Sequence, residues 1–298
     1  TLSTYERSVD DFLGNVRVDA GAGNNTLLID DQGDLDSIGD RIAQKANDGY
    51  VQIVGMAAGD IFYRASGGGD FSGGLDIITS SSHDYFTIDA LHGGDHTTLR
   101  TGMGNDDIIV NDFEIDPSAR LTIKTEADDD LIDALASPVF VEVYGGEGSD
   151  AIYGSEFDDF LSAGGGDNLI VGNLGADLIT SHGGNDIAIG DNGWMHDGAG
   201  NRLTPGELPQ VAEVATLPAA NTYSPTNDTI DVGEGGNLVI GGAGKDSITA
   251  GTGTNTILGD EGTAKFDADR NLLLAESTNP LVGDKDTFSL GSGTYRVI

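Results

Sequence analysis

Acid at fixed intervals is the chemistry this sequence offers. From Gly145 five nine-residue blocks run head to tail, GGEGSDAIY, GSEFDDFLS, AGGGDNLIV, GNLGADLIT and SHGGNDIAI, and each puts Asp or Asn sixth: Asp150, Asp159, Asn168, Asp177 and Asp186. The register returns in VGEGGNLVI, GGAGKDSIT and AGTGTNTIL, with Asn237, Asp246 and Asn255 sixth, and Asp228 stands 18 residues before Asp246. The chain has no Cys, so neither disulfides nor thiolate metal sites are available. Carboxylates and turn carbonyls supply oxygen alone. An oxygen cage of six to eight ligands suits calcium, whereas magnesium is smaller and holds its water more tightly.

Such ligands need a frame that repeats as they do. A Gly-rich turn reaches positive φ and gathers its carbonyl oxygens, and the short strand after it sends one apolar residue inward, here Ile152, Leu161, Ile170, Ile179 and Ala188 at the eighth place. Two blocks make one coil of 18 residues. Stacked coils would bring Asp150, Asn168 and Asp186 into a column on one edge and Asp159 and Asp177 into a column on the other. Carboxylates stacked about 4.8 Å apart repel unless a cation lies between them. Asn keeps one acceptor oxygen, gains a donor and loses the charge, so a column of Asn can ladder without metal. The expectation is therefore calcium on the edge of Asp228 and Asp246 and little on the edge of Asn237 and Asn255. Asp106 and Asp128 in the first half, and Asp191 and Asp260 in the repeated GDNG and GDEG turns, complete the candidate ligands.

The blocks resemble the GGxGxDxUx nonapeptides of the RTX (repeats-in-toxin) family, whose secreted bacterial members wind such repeats into a calcium-bound parallel β-roll. Clear copies cover residues 145 to 193 and 228 to 262. The resemblance implies several calcium ions as cofactor, an extracellular or cell-surface location, and export in an unfolded state from a low-calcium cytoplasm. It extends to very large secreted bacterial calcium-binding proteins that repeat GDNG-containing units many times.

Composition narrows the partners. The formal charge is −36, from 50 Asp and Glu against 14 Lys and Arg, which repels nucleic acid and anionic lipid. Only 6% of residues are aromatic, and the 46 Gly are roughly twice the usual frequency, so a thick aliphatic globule is not expected. No apolar run reaches the ~20 residues of a membrane span, and the first residues, TLSTYERSVDD, have neither the basic start nor the apolar stretch of a signal peptide.

Longer periods organise the rest. Asp84, Asp106, Asp128 and Asp150 are spaced by 22, with alternating strands such as TTLRT and RLTIKT between them, which predicts a wide-coil parallel solenoid over 1–143. The first roll then covers 144–193 and the second 228–262. Segments 194–227 and 263–284 break the nine-residue beat and read as hairpin-like protrusions, the first with a turn at Asp197 to Gly200 and a loop carrying Pro205, Pro209, Pro218 and Pro225. Residues 189–203 align with 258–272 at an offset of 69, and 227–240 with 285–298 at 58, so 285–298 reads as the start of a further copy. The wide coils are expected to pass into the roll near residue 145 with a continuous core. Leu35, Ile38 and Ile42, with Asp34 as N-cap and Gly49 as stop, predict one short helix.

Other motifs carry less. His92 and His96 have zinc-like i, i+4 spacing, but two Gly between them oppose a helix. Asp267 to Asn271 begins like an EF-hand loop and then has Leu272 where Gly is needed. GGAGKDS lacks the spacing of a phosphate loop, and there is no GxSxG or HExxH. The reading is an all-β, right-handed parallel β-solenoid passing into calcium rolls, acting as an extracellular structural or adhesive module without catalysis. Its partners would be calcium, further copies of itself end to end, and a polysaccharide or cell-surface ligand. Two alternatives stand beside it: a polysaccharide lyase or epimerase with a groove on the wide solenoid, for which Tyr63, Arg64, His83, Asp84 and Tyr85 are the suggestive cluster, and a secretion and folding cassette of a larger protein.

Overall fold

The computed structural model describes residues 9, 12–33, 40–46, 48–114, 119–207, 210–217, 225–269, 271–279 and 284–298. It divides into two compact units, Thr1–Tyr144 and Gly145–Ile298. Both are built from parallel β-ladders, and no α-helix occurs among the described residues.

In the first unit one ladder stacks Leu27–Asp30, Leu75–Ile78, His96–Arg100, Arg120–Ala127 and Val141–Glu147, and a second stacks Asp40–Lys45, Tyr85–Ile88, Asp107–Val110 and Leu131–Asp133. The alternation seen in TTLRT and RLTIKT puts Leu99, Leu121 and Ile123 inside, fully buried. Two successive coils differ in length. Ile88 pairs with Val110 at an interval of 22, but Thr97 pairs with Leu121 at 24. The segment between Val110 and Leu121 is thus two residues longer than its predecessor.

The helix expected near the N-terminus is not formed where it can be seen. Asp40–Lys45 is a strand, paired in parallel with Tyr85–Ile88 and antiparallel with Val51–Val54, which continues to Ile61–Arg64 and then Val16–Asp19. Leu35, Ile38 and the Asp34 cap lie outside the described residues. Strand pairing on both sides outweighs the weak helical spacing, because each pairing satisfies backbone groups that an isolated turn of helix would leave to water.

The second unit has shorter coils. Ile152, Ile170, Ala188, Val239 and Ile257 stack in register on one ladder. Leu161, Ile179, Ile230, Ile248 and Phe288 stack on the other. The interval is 18 except where Ala188 meets Val239 and Ile179 meets Ile230, both at 51, and where Ile248 meets Phe288 at 40. Residues 144–193 and 228–262 therefore form one uninterrupted ladder, from which the intervening segments leave and return. A fully buried Ile contributes about 1.5–3 kcal/mol, too little for a coil with two inward residues to fold alone, so stability comes from stacking neighbours.

The two departing segments pair with each other. Gly193–Asp197, Val211–Thr216, Gly262–Phe266 and Leu272–Ser277 form a four-stranded antiparallel sheet in that order. Met195, Val214 and Ala264 make its buried face. Its two turns share one design: Asp197 accepts from the N–H groups of Ala199 and Asn201 at 2.9 and 2.7 Å, and Asp267 from those of Asp269 and Asn271 at 2.9 and 2.8 Å. The incipient EF-hand sequence is thus a hairpin turn.

Candidate metal centre

Eight residues of the two columns in the second unit do the same thing with their first oxygen. Oδ1 of Asp177 accepts from the N–H of Asp159 at 2.8 Å, Asp228 from Asp177 at 2.8 Å, Asp246 from Asp228 at 2.9 Å and Asp286 from Asp246 at 2.9 Å. The other edge repeats this with Asn168 on Asp150 at 2.9 Å, Asp186 on Asn168 at 2.9 Å, Asn237 on Asp186 at 2.8 Å and Asn255 on Asn237 at 3.1 Å. Turn geometry requires this alignment. Gly166 and Gly184 hold φ of 104° and 116°, and a Cβ on either would run into the carbonyl of the coil beneath.

The second polar atom separates the edges. At three rungs of the Asn edge it finds a partner: Asn168 Nδ2 donates to Asp186 Oδ1 at 3.0 Å, Asn237 Nδ2 to the Val232 carbonyl at 2.8 Å, and Ser181 Oγ to Asp186 Oδ2 at 2.6 Å. On the Asp edge Oδ2 of Asp177, Asp228 and Asp246 is buried without a hydrogen-bond partner. A carboxylate oxygen left so costs several kcal/mol unless it is protonated or meets a cation.

The surroundings of those three oxygens fit a hard cation. A Cβ added to Gly172 would strike both Asp177 Oδ2 and the carbonyl oxygen of Gly190; on Gly190 it would strike Asp228 Oδ2 and the Gly241 carbonyl; on Gly241, Asp246 Oδ2 and the Gly259 carbonyl. Each carboxylate oxygen therefore shares a glycine-sized space with a carbonyl from the next coil. Among the described residues no three His, Asp or Glu side chains close around one point, so an ion here would take carboxylates from successive rungs and fill its shell from backbone carbonyls and water.

Electrostatics agrees. Burial, then the neighbouring Asp228 carboxylate, pushes Asp177 up to about 9. Burial likewise lifts Asp228 to about 8 and Asp246 to about 7, with Asp191 adding repulsion to both. Asp191, itself raised to about 6 by burial, accepts from Thr226 Oγ1 at 3.2 Å and from the N–H of Ala243. Asp260 occupies the matching place after Gly259 and has a buried Oδ1 without a hydrogen bond. Chain segments thus concentrate negative charge on one edge, and only a cation or protons can neutralise it.

The first unit carries a related ladder with different chemistry. Asp84 N–H donates to Asp106 Oδ1 at 2.8 Å, and Asp106 N–H to Asp130 Oδ1 at 2.7 Å. Asp130, not Asp128, is the ladder residue, because the longer coil moves the position by two. Asp128 is exposed in the turn at φ 78° and accepts from the Gly104 N–H at 3.1 Å. Arg41, buried on the strand Asp40–Lys45, forms an ion pair with Asp84, which also receives the Thr79 hydroxyl. Asp106 is pushed up to about 8 by burial, against the pull of the Thr101 hydroxyl beside it.

Residues suggested for polysaccharide chemistry do not converge. Tyr63 is fully buried, Asp84 is committed to Arg41, and Arg64 pairs with Asp19 at 2.8 Å and lies over the Tyr50 ring. His92 bonds to Asp95 at 3.1 Å and to the Ala65 backbone at 3.3 Å. Sequence reasoning did not single out Arg41, Asp130 or Asp286. The offset of 58 that sets Asp228 over Asp286 carried the signal for the last; nothing local marked Arg41.

Comparison with known families agrees with this geometry. The family model described as the RTX calcium-binding nonapeptide repeat (4 copies) matches residues 144–179, 162–193 and 224–263. No curated protein and no solved structure matches the chain. The chain carries RTX repeats, and with them a calcium-binding repeat module, within an all-β fold of stacked parallel strands.

Proposed function

We propose that this chain is a calcium-folded structural or adhesive module of the bacterial cell exterior, disordered in its roll where calcium is scarce and rigid where calcium is abundant. The observation that carries this reading is the run of three buried, unpartnered Oδ2 atoms on successive rungs at Asp177, Asp228 and Asp246. Each calcium present at ten times its Kd would add about 1.4 kcal/mol to the folded state, so a few ions amount to much of an ordinary domain's 5–15 kcal/mol. Secretion is supported by the kind of protein in which these repeats occur, and the net charge of −36 disfavours anionic partners. No helix among the described residues is long and apolar enough to cross a membrane.

Chelation tests the proposal. Trp194, the single tryptophan, sits on the sheet made by the two departing segments and stacks on His196 at 4.3 Å, so its fluorescence reports on the second unit. Calcium titrated into chelated protein is expected to restore both the β-sheet circular dichroism and the folded Trp194 emission. Equal spectra with and without calcium would sink the reading. A role as a secretion and folding cassette shares this calcium response; adhesion to glycan or cell surfaces by the isolated chain is what sets the adhesive reading apart.

A further inference from the structure

Not every Asp rung leaves an oxygen free, and the exceptions share a feature. Asp159 receives Ser155 Oγ on both oxygens, at 2.9 Å each. Asp186 receives Ser181 Oγ on Oδ2 at 2.6 Å. Asp84 receives the Thr79 hydroxyl on Oδ2 and Ser80 Oγ on Oδ1 at 3.2 Å. In all three the hydroxyl stands four or five residues ahead of the Asp, at the start of its turn. Where that start has no hydroxyl, Gly172 and Asn173 before Asp177 or Gly241 and Gly242 before Asp246, Oδ2 is buried and unpartnered. Asp228 obeys the same rule across the departing segment, since the turn residue facing its Oδ2 is Gly190.

We infer that a Ser hydroxyl at the start of a turn in the second unit closes that rung to calcium, so that Ser155 keeps the Asp159 rung empty while the Asp177, Asp228 and Asp246 rungs of the same edge take ions. The physical reason is competition for one oxygen. A hydroxyl within the turn donates to Oδ2 at no cost in bound ion. Opening the rung by calcium requires breaking that bond inside a buried site. Removing the hydroxyl at Ser155 leaves Asp159 Oδ2 with the Ser155 N–H as its one turn donor, beside a glycine, Gly154, whose missing Cβ borders both Asp159 Oδ2 and the Gly172 carbonyl.

This inference rests on the calcium reading above, and the experiment separates the two. Calcium stoichiometry of the whole chain is measured by equilibrium dialysis for the wild type, Ser155→Gly and Ser155→Ala, with circular dichroism alongside. One additional ion per chain in either variant supports the closure. Binding that is unchanged or reduced in both variants, with a wild type that binds calcium, overturns it and leaves the calcium reading intact. A wild type that binds no calcium overturns both. A gain of an ion cannot come from misfolding, and Ser155→Ala keeps a Cβ should the glycine variant fold poorly.

Discussion

The two edges of the roll in the second unit run side by side on the same backbone and solve the same stacking problem with different atoms. Both use Oδ1 to catch the N–H of the preceding rung. At Asn168, Asn237 and Asn255 the second atom is an amide nitrogen that donates to oxygens already present, so those rungs are complete without any ion. On the edge of Asp177, Asp228 and Asp246 it is an oxygen with no donor in reach. The Asn rungs are closed by hydrogen bonds, and the Asp177, Asp228 and Asp246 rungs wait for charge. A single atom per rung, O in place of N, thus changes a structural ladder into a cation site.

Substitution across this contrast gives the largest expected effect. Asp228→Asn keeps the Oδ1 ladder but removes the charge midway along the Asp edge, and calcium affinity of the second unit is expected to fall at least tenfold in titrations. Asn237→Asp on the other edge puts a carboxylate oxygen beside the Val232 carbonyl, the arrangement of the Asp edge, and is expected to raise calcium binding by about one ion per chain. Equal responses would erase the distinction between edges.

Backbone space comes next. The Asn edge carries Ala163 and Ala250 five residues ahead of Asn168 and Asn255, both buried, whereas the Asp edge has Gly172 and Gly241 in that place. Gly172→Ala should cost about 1–3 kcal/mol in calcium-saturated denaturant unfolding, as overpacking against oxygens that cannot move apart. A cost below ~0.5 kcal/mol would mean that the shared space is not constrained.

The pH dependence has a definite sign. Without calcium the folded-state values of about 9, 8 and 7 for Asp177, Asp228 and Asp246 lie far above the ordinary 3.8, so the folded chain binds more protons than the unfolded one. This contribution to stability is fully present below about pH 4 and is lost as pH rises through 7 to 9. Calcium-free protein is therefore expected to show more β-sheet circular dichroism at pH 5.5 than at pH 8, and saturating calcium should flatten or reverse the trend. The smallest effect should come from Asn255→Ala, which removes one acceptor from the Asn edge: about 1 kcal/mol in stability and no change in calcium affinity.

Much of the scaffold was legible because it is periodic. An apolar residue every nine positions can only be buried continuously by coils of 18, so Ile152, Ile170 and Ala188 had to stack once the chain coiled. The Asp or Asn at the sixth place had to form columns for the same reason. The longer coil was misjudged by two residues because spacing between Asp84, Asp106 and Asp128 says nothing about where the extra residues sit; strand register selected Asp130. Helical spacing around Ile42 likewise lost to pairing partners distant in sequence.

What the sequence determined by itself is the repeat length, the two columns and the charge they carry, since these follow from residue type and interval. What only the tertiary structure decided is which oxygens remain free. Ser155 and Ser181 look like ordinary turn residues until the coil brings their hydroxyls onto Asp159 and Asp186. Arg41 looks like a surface cation until strand pairing buries it against Asp84, 43 residues away. Periodicity is a local property that can be read along the chain, whereas the satisfaction of a buried oxygen depends on every group that folding places within 3 Å of it.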